Sequence, residues 1–203
     1  REHRRMASAL KAGNWEEARL AAAHLSHFVA DVHMPLHATS NYDGQKTGND
    51  GIHGRIEYEL IPRYHGATMV LPGEIKPIAD PLNWAFAEIG KSFSLIQPLL
   101  DADNAARRAA VLDSEAYYAE LERRSGAMLT QRLADAATAL AGLYTSAWEA
   151  AGRPELPPRR AIVIVLDDSK APFEPLELKA ENLLKIEASR ADAFDAVALI
   201  AAN

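Results

Sequence analysis

The composition of this 203-residue chain is that of an ordinary globular protein, with 48% hydrophobic and 25% charged residues. Its formal net charge of −6 argues against a nucleic-acid surface that works mainly by neutralising phosphates, although bound divalent metals would offset that charge locally. The absence of cysteine excludes disulfides and thiolate metal ligands, and no apolar run of about eighteen residues offers a transmembrane helix.

The first predicted helix covers residues 15–33. Asn14 is a typical N-cap, with Glu17 three residues later as in a capping box. Pro35 must interrupt this helix, because proline has no amide proton to donate to the helical ladder. The apolar stripe of the helix consists of Ala22, Leu25, Val29 and Val32.

A polar loop and a short helix follow. Residues 39–52 are rich in glycine, asparagine, aspartate and threonine, a composition typical of a loop. Residues 53–64 are predicted to form a short helix that ends near Pro62. Residues 66–79 contain two prolines and show no convincing period.

Two later helices are predicted from their start and stop signals. Asp80 and Pro81 begin the first, which is expected to stop at Pro98, and the second runs from near Ser114 to near Gly152. Their apolar stripes consist of Phe86, Ile89, Phe93 and Ile96 in the first helix, and of Leu121, Leu129, Leu133, Ala136, Leu140, Leu143 and Ala147 in the second. Both stripes are interpreted as core packing in a helical bundle.

These helices indicate a mainly α fold with one domain over residues 1–153. The remaining residues, 154–203, are predicted to form a short C-terminal extension to which the sequence assigns no role. Within the extension, the β-branched apolar run AIVIVL at 161–166 predicts a strand.

A cluster of histidines and acids in the first third of the chain has the spacing of a metal site. His27 and Asp31 are four residues apart, which places both on one helix face, and His53 and Glu57 repeat that spacing. His37 lies between the two pairs. Imidazole nitrogens and carboxylate oxygens are the ligands that zinc takes when no thiolate is available. The sequence therefore predicts a metal site, and a site of this composition is usually catalytic.

Two further histidines lie close to the cluster in sequence. His24 falls near the same helical face as His27, and His33 precedes Pro35 by two residues and could reach the same region. Spacing alone does not decide whether either of them binds the metal.

The five clustered residues carry a family resemblance. His27-x3-Asp31-x5-His37, with a proline–leucine pair directly before the last histidine, is followed by His53-x3-Glu57. In this order and spacing, the residues resemble the zinc-dependent phospholipase C and single-strand-specific nuclease superfamily. The resemblance implies a helical bundle of the phospholipase C/nuclease type.

The resemblance is close over residues 15–65 and looser over 140–154. It implies a hydrolase that cleaves phosphodiesters with a metal-activated water, in a secreted or periplasmic protein. The substrate would be a phospholipid headgroup or single-stranded nucleic acid. Glu57 resembles the phospholipase branch, because the nucleases more often carry aspartate at this position.

The resemblance also implies a role for each residue of the motif. His37, His53 and Glu57 would hold one zinc ion. His27 and Asp31 would belong to a second zinc site, where Asp31 would bridge towards a third zinc ion and take part in catalysis.

The family completes its paired-zinc site with upstream ligands that have no match in the opening sequence REHRRMASAL. The chain is therefore expected to lack the family's N-terminal segment, to bind about one zinc ion, and to hydrolyse phosphoesters weakly or not at all. The family pattern also leaves out His24 and His33, so neither is expected to bind metal.

The principal prediction is a phospholipase C-like zinc hydrolase. A single-strand nuclease of the same superfamily is the first alternative. The second is a non-catalytic metal-binding remnant with an incomplete active site, which the unmatched upstream ligands favour.

Overall fold

The computed structural model describes residues 1–65 and 72–155, and helices make up most of both ranges. The α-helices are α1 (Glu2–Lys11), α2 (Trp15–His33), α3 (Ile52–Gly54), α4 (Ile61–Tyr64), α5 (Pro81–Ser94), α6 (Ile96–Ala109) and α7 (Glu115–Ala150). A 3-10 helix, Pro35–Ala38, follows α2, and a π-helix, Arg55–Leu60, joins α3 to α4. No strand occurs in these two ranges, which confirms the mainly α fold.

Other predictions about the architecture remain open. The strand predicted at 161–166 lies outside the described residues, as does nearly all of the extension predicted at 154–203. The boundary at residue 153 and the phospholipase C/nuclease type of bundle therefore stay predictions. Across the part of the chain that the structure describes, every helix is too short or too polar to cross a bilayer.

The first predicted helix has the expected bounds. The side-chain oxygen of Asn14 caps α2 by accepting a hydrogen bond from the backbone N–H of Glu17 at 3.1 Å. The helix ends at His33, the chain becomes extended for one residue, and Pro35 opens the 3-10 helix. His37 therefore lies on a separate turn just beyond the end of α2.

The predicted loop and the second helical segment are also present. Residues 39–51 form turns without a regular helix, and a continuous helical segment runs from Ile52 to Tyr64. This segment passes the expected end near Pro62, which lies in its last turn, directly after the change from π-helix to α-helix at Ile61.

The predicted stop at Pro98 is wrong. α5 already ends at Ser94, and α6 begins at Ile96, so that Pro98 lies in the first turn of α6. Amides in the first turn of a helix lack an intrahelical acceptor, and a proline there costs little. Sequence reasoning misses α6, because a proline within an apolar helical pattern predicts the end of a helix.

The core position predicted for the apolar stripe of α5 is also wrong. Phe86, Ile89 and Phe93 are 66%, 38% and 62% exposed, whereas Ile96, the last residue of the predicted stripe, is buried in the core at the start of α6. The buried positions of α5 are polar: Arg132 of α7 donates from Nη2 to the carboxylate of Glu88 and to the hydroxyl of Ser92, both at 3.2 Å. The inward face of α5 therefore combines a buried ion pair with Trp84, which packs against the apolar cluster of α2 and α7.

The core is built around α7, which contacts α1, α2 and α6. Its predicted apolar positions are buried, apart from a half-buried Leu133: Leu121, Leu129, Ala136, Leu140, Leu143 and Ala147. One apolar cluster joins the second half of α7 to α2, and another joins its first half to α6, the 3-10 helix and the π-helix. The segments that carry the predicted metal ligands are thereby anchored on α7.

Candidate metal centre

The 3-10 helix presents His37 at the edge of the core. Pro35 and Leu36 are buried, Leu36 completely, and they hold this turn against the apolar cluster. The backbone N–H of His37 donates to the carbonyl oxygen of Met34 at 3.1 Å. His37, the next residue along the chain, is exposed to solvent.

His53 and Glu57 lie one helical turn apart on the segment formed by α3 and the π-helix. The residues directly before them, Ile52 and Ile56, are completely buried. This apolar pair fixes the rotation of the segment, and it leaves His53 and Glu57 half-buried at the edge of the core.

The loop between these segments folds back so that the two histidines can meet. Asn49 Nδ2 donates to the buried carboxylate of Asp103 at 2.6 Å, and the carboxylate of Asp43 accepts from the backbone N–H of His53 at 3.2 Å. Gly44 has a φ of 74°, and a Cβ placed there would lie 2.5 Å from the Cβ of Asn49. The loop therefore closes in this form only with glycine at position 44.

Three ligand atoms converge between these elements. His37 Nε2 lies 3.1 Å from His53 Nε2, and Glu57 Oε1 lies 3.0 Å from His53 Nε2 and 3.4 Å from His37 Nε2. Atoms that share a tetrahedral zinc ion at about 2.0–2.1 Å lie about 3.3 Å from one another, so the spacing fits a metal. In residues 1–65 and 72–155, this is the one group of three that could hold an ion, and zinc binding itself stays a prediction.

The outer nitrogen of each histidine faces an oxygen that only accepts hydrogen bonds. His37 Nδ1 lies 3.1 Å from Asp31 Oδ1, and His53 Nδ1 lies 3.2 Å from the carbonyl oxygen of Tyr42. A ring that donates from Nδ1 can bind a metal through Nε2, and the two Nε2 atoms lie on the inner side of the site. They face each other and the carboxylate of Glu57, an arrangement that needs a cation, either a proton or a metal.

The electrostatics of the metal-free site show the same need. Hydrogen bonds with Asp31 and then with Glu57 raise the pKa of His37 to about 9. Burial works to raise the pKa of Glu57, but hydrogen bonds from His37 and His53 outweigh it and lower that pKa to about 2. At neutral pH the site therefore holds an imidazolium beside a carboxylate, and a metal must displace that proton to bind.

Asp31 and His27 lie beside the cluster, near the end of α2. Asp31 Oδ1 contacts His37, and Asp31 Oδ2 lies 3.4 Å from His27 Nε2. The structure thus brings all five motif residues into one region, but only three of them supply the converging atoms. The second zinc site that the resemblance implies for His27 and Asp31 stays a prediction.

Other partners hold His24 and His33. His24 Nδ1 lies 3.5 Å from the carboxylate of Glu2 in α1. His33 is buried, with its Nδ1 donating to the carbonyl oxygen of Val29 at 2.7 Å and its Nε2 3.5 Å from the carboxylate of Glu88. Both histidines therefore lie outside the cluster of converging atoms.

A cavity of about 520 Å³ opens beside the two histidines. Its walls are formed by Asp31, Val32, His37, Ala38, Thr39, Tyr42, His53 and Ile89. The ring of Tyr42 meets that of His53 edge-on, with 6.2 Å between their centroids. Sequence reasoning misses Ile89 as a lining residue, because its place on the apolar stripe of α5 predicts a core position.

Comparison with known proteins finds no matching family model, no matching curated protein and no matching solved structure. The resemblance to the phospholipase C/nuclease superfamily therefore rests on the five motif residues and their spacing. Function has to be argued from the chemistry of the site.

Proposed function

We propose that this protein is a zinc-dependent phosphoester hydrolase of the phospholipase C-like kind. The observation that carries the proposal is the convergence of His37 Nε2, His53 Nε2 and Glu57 Oε1 to within 3.0–3.4 Å of one another. Two histidines and one carboxylate are a common ligand set of catalytic zinc, which keeps its fourth position open for water or substrate. The adjoining cavity supplies room for a substrate at that position.

The residues of the site have separate tasks. His37 and His53 offer neutral nitrogens to the metal. Glu57 adds a negative charge, which strengthens the attraction of the site for a divalent cation. A zinc ion held there would lower the pKa of a bound water and stabilise charge on a phosphoryl oxygen. Val32 and Ile89 give the cavity an apolar wall, which suits an ester with an apolar part such as a phospholipid.

A single-strand nuclease is the second candidate, and one feature of the cavity favours it. The ring of Tyr42 lines the cavity and is 55% exposed, so a nucleic-acid base could stack on it. The net charge of −6 weighs against this candidate, because it weakens the attraction for a phosphate backbone.

Metal binding without hydrolysis is the third candidate. It is favoured because, among the residues that the structure describes, only one group of three side chains could hold an ion. Enzymes that cleave phosphodiesters with clustered metals use a second ion to stabilise the attacking and leaving oxygens.

The decisive experiment measures zinc per chain by elemental analysis after dialysis, together with hydrolysis of phosphatidylcholine vesicles and of single-stranded DNA. The test variants are His53→Ala and Glu57→Gln. The matched control is Glu59→Gln, because Glu59 lies on the same π-helix but contacts Arg63. We expect about one zinc ion per chain in the wild type and in the control, and a loss of zinc in both test variants.

The outcomes separate the candidates. Hydrolysis of phosphatidylcholine that both test variants abolish would support the proposal, whereas cleavage of DNA alone would identify a nuclease. Bound zinc without either reaction would leave only the metal-binding function. Zinc retained in both test variants would contradict the assignment of the site.

A further inference from the structure

One face of α5 exposes a row of large apolar side chains to solvent. Leu82, Phe86, Ile89 and Phe93 follow one another at intervals of three or four residues, which aligns them on one side of the helix. Every member of the row is exposed, from 38% at Ile89 to 67% at Leu82. Single exposed apolar residues are ordinary on a protein surface, whereas a contiguous row of them indicates an interaction surface.

The row reaches the candidate metal centre. Ile89 belongs to the row and also lines the cavity beside His37 and His53. α2 contributes in the same way, because its exposed residue Phe28 lies one helical turn before Val32, which lines the same cavity. Two helices that border the cavity therefore carry exposed apolar residues next to it.

The charges of α5 suit a phospholipid surface. Glu88 and Lys91 are the two charged residues of this helix. Glu88 is buried and pairs with Arg132, whereas Lys91, which contacts Glu88 at 2.6 Å, extends into solvent. A lysine beside an apolar row is typical of helices that lie in the plane of a bilayer surface. There the apolar side enters the acyl boundary and the ammonium meets phosphate oxygens.

We propose that Phe28 and the row on α5 form a docking surface for a phospholipid bilayer, with the cavity placed at the headgroups. This inference rests on the proposed function and deepens it, because it makes aggregated lipid, rather than a dissolved phosphoester, the preferred substrate. A second copy of the chain fits this surface less well. A stable protein interface takes about 20–30 residues from each partner, whereas five large apolar side chains form this surface.

The first experiment measures binding of the metal-free protein to phosphatidylcholine vesicles by co-sedimentation, with a chelator present so that no lipid is hydrolysed. The test variant carries Phe86→Ser and Phe93→Ser together, because neither side chain lines the cavity. The matched control is Val111→Ser, since Val111 is an exposed apolar residue between α6 and α7. We expect the wild type and the control to bind, and the test variant to bind at least about 10-fold more weakly.

The second experiment adds zinc and compares two forms of the same lipid. The test variant should hydrolyse phosphatidylcholine vesicles more slowly than the wild type. It should hydrolyse a short-chain phosphatidylcholine below its critical micelle concentration at the wild-type rate, because a dissolved substrate needs no docking. Far-UV circular dichroism checks the fold of each variant.

The third experiment asks what covers the docking surface. The chain has no cysteine, so Phe86→Cys provides a single site for a dye whose emission depends on the polarity of its surroundings. We expect emission typical of water without vesicles and a blue shift when phosphatidylcholine vesicles are added. The same dye on Val111→Cys should not shift.

Four results would decide the proposal. A wild type that does not bind vesicles would overturn it, and so would equal binding by the wild type and the test variant. A dye at position 86 that is shielded from water before vesicles are added would also overturn it. Size-exclusion chromatography would then show whether a second copy or another segment of the same chain covers the surface. Docking without zinc-dependent hydrolysis would support the docking surface and remove the proposed function alone.

Discussion

His37 and Glu57 form a pair whose charges depend on each other in the metal-free protein, so the pair makes folding stability depend on pH. The pKa of His37 is raised from 6.5 to about 9, so its contribution is complete below pH 6.5 and is lost as the pH rises through 9. The pKa of Glu57 is lowered from 4.5 to about 2, so its contribution is complete above pH 4.5 and is lost as the pH falls through 2.

We therefore expect this pair to contribute most to the stability of the metal-free protein between pH 4.5 and 6.5. The measurement is the midpoint of chemical unfolding as a function of pH in the presence of a chelator. His37→Gln should reduce the decrease in stability between pH 6.5 and 9 relative to the wild type. An identical slope in both proteins over that range would contradict the coupling.

At the scale of residues, the sequence predicts the ligand types but not all of their contacts. His53 and Glu57 could be paired because the spacing of one helical turn is a local property. The contact between Asp31 and His37 crosses the end of α2, where the direction of the chain after Pro35 depends on burial of the following turn. That burial is a tertiary property without a local signal.

Among the elements, the loop at 39–51 is the one on which the site depends most. Gly44 has a φ of 74° and no room for a Cβ beside Asn49. We expect Gly44→Ala to destabilise the fold by about 2 kcal/mol or more, and to weaken zinc binding because the loop positions His53. Chemical unfolding and zinc titration check both effects.

Gly48 provides the matched control for this prediction. Its φ is 77°, close to that of Gly44, but nothing lies within 4 Å of a Cβ built at this position. Gly48→Ala should therefore carry only the backbone cost, about 1 kcal/mol, and leave zinc affinity unchanged. Equal effects of the two substitutions would show that close packing against Asn49 does not control the loop.

α5 shows why apolar periodicity assigned the wrong face to an element. Its exposed stripe includes Phe86, whereas its buried face carries Glu88, which pairs with Arg132. We expect Glu88→Ala to cost about 3 kcal/mol of unfolding free energy, because it leaves the buried guanidinium with Asp135 as its remaining carboxylate partner. Phe86→Ser should change stability by no more than about 0.5 kcal/mol. The reverse order in denaturant titrations would contradict this packing.

For the whole molecule, the candidate site joins parts of the chain that pack separately on α7. α2 packs on the second half of α7, while the 3-10 helix and the π-helix pack in the cluster around its first half. The cores could be predicted in part, since the stripes of α2 and α7 are local patterns. The meeting of these segments at one site could not be predicted. It depends on the hydrogen bond from Asn49 to Asp103, which no spacing rule indicates.

A metal bound at this junction should stabilise the whole fold, because the three ligands converge only in the folded chain. At a free zinc concentration of about 100 times the dissociation constant, the gain is about 2.7 kcal/mol, or about 5–10 °C in Tm for a chain of this size. Thermal unfolding with and without zinc tests this in the wild type, in Glu59→Gln and in His53→Ala. The first two should gain stability and His53→Ala should not, because the ion would keep only His37 and Glu57 of its three ligands. An equal gain in all three proteins would place the bound zinc elsewhere on the chain.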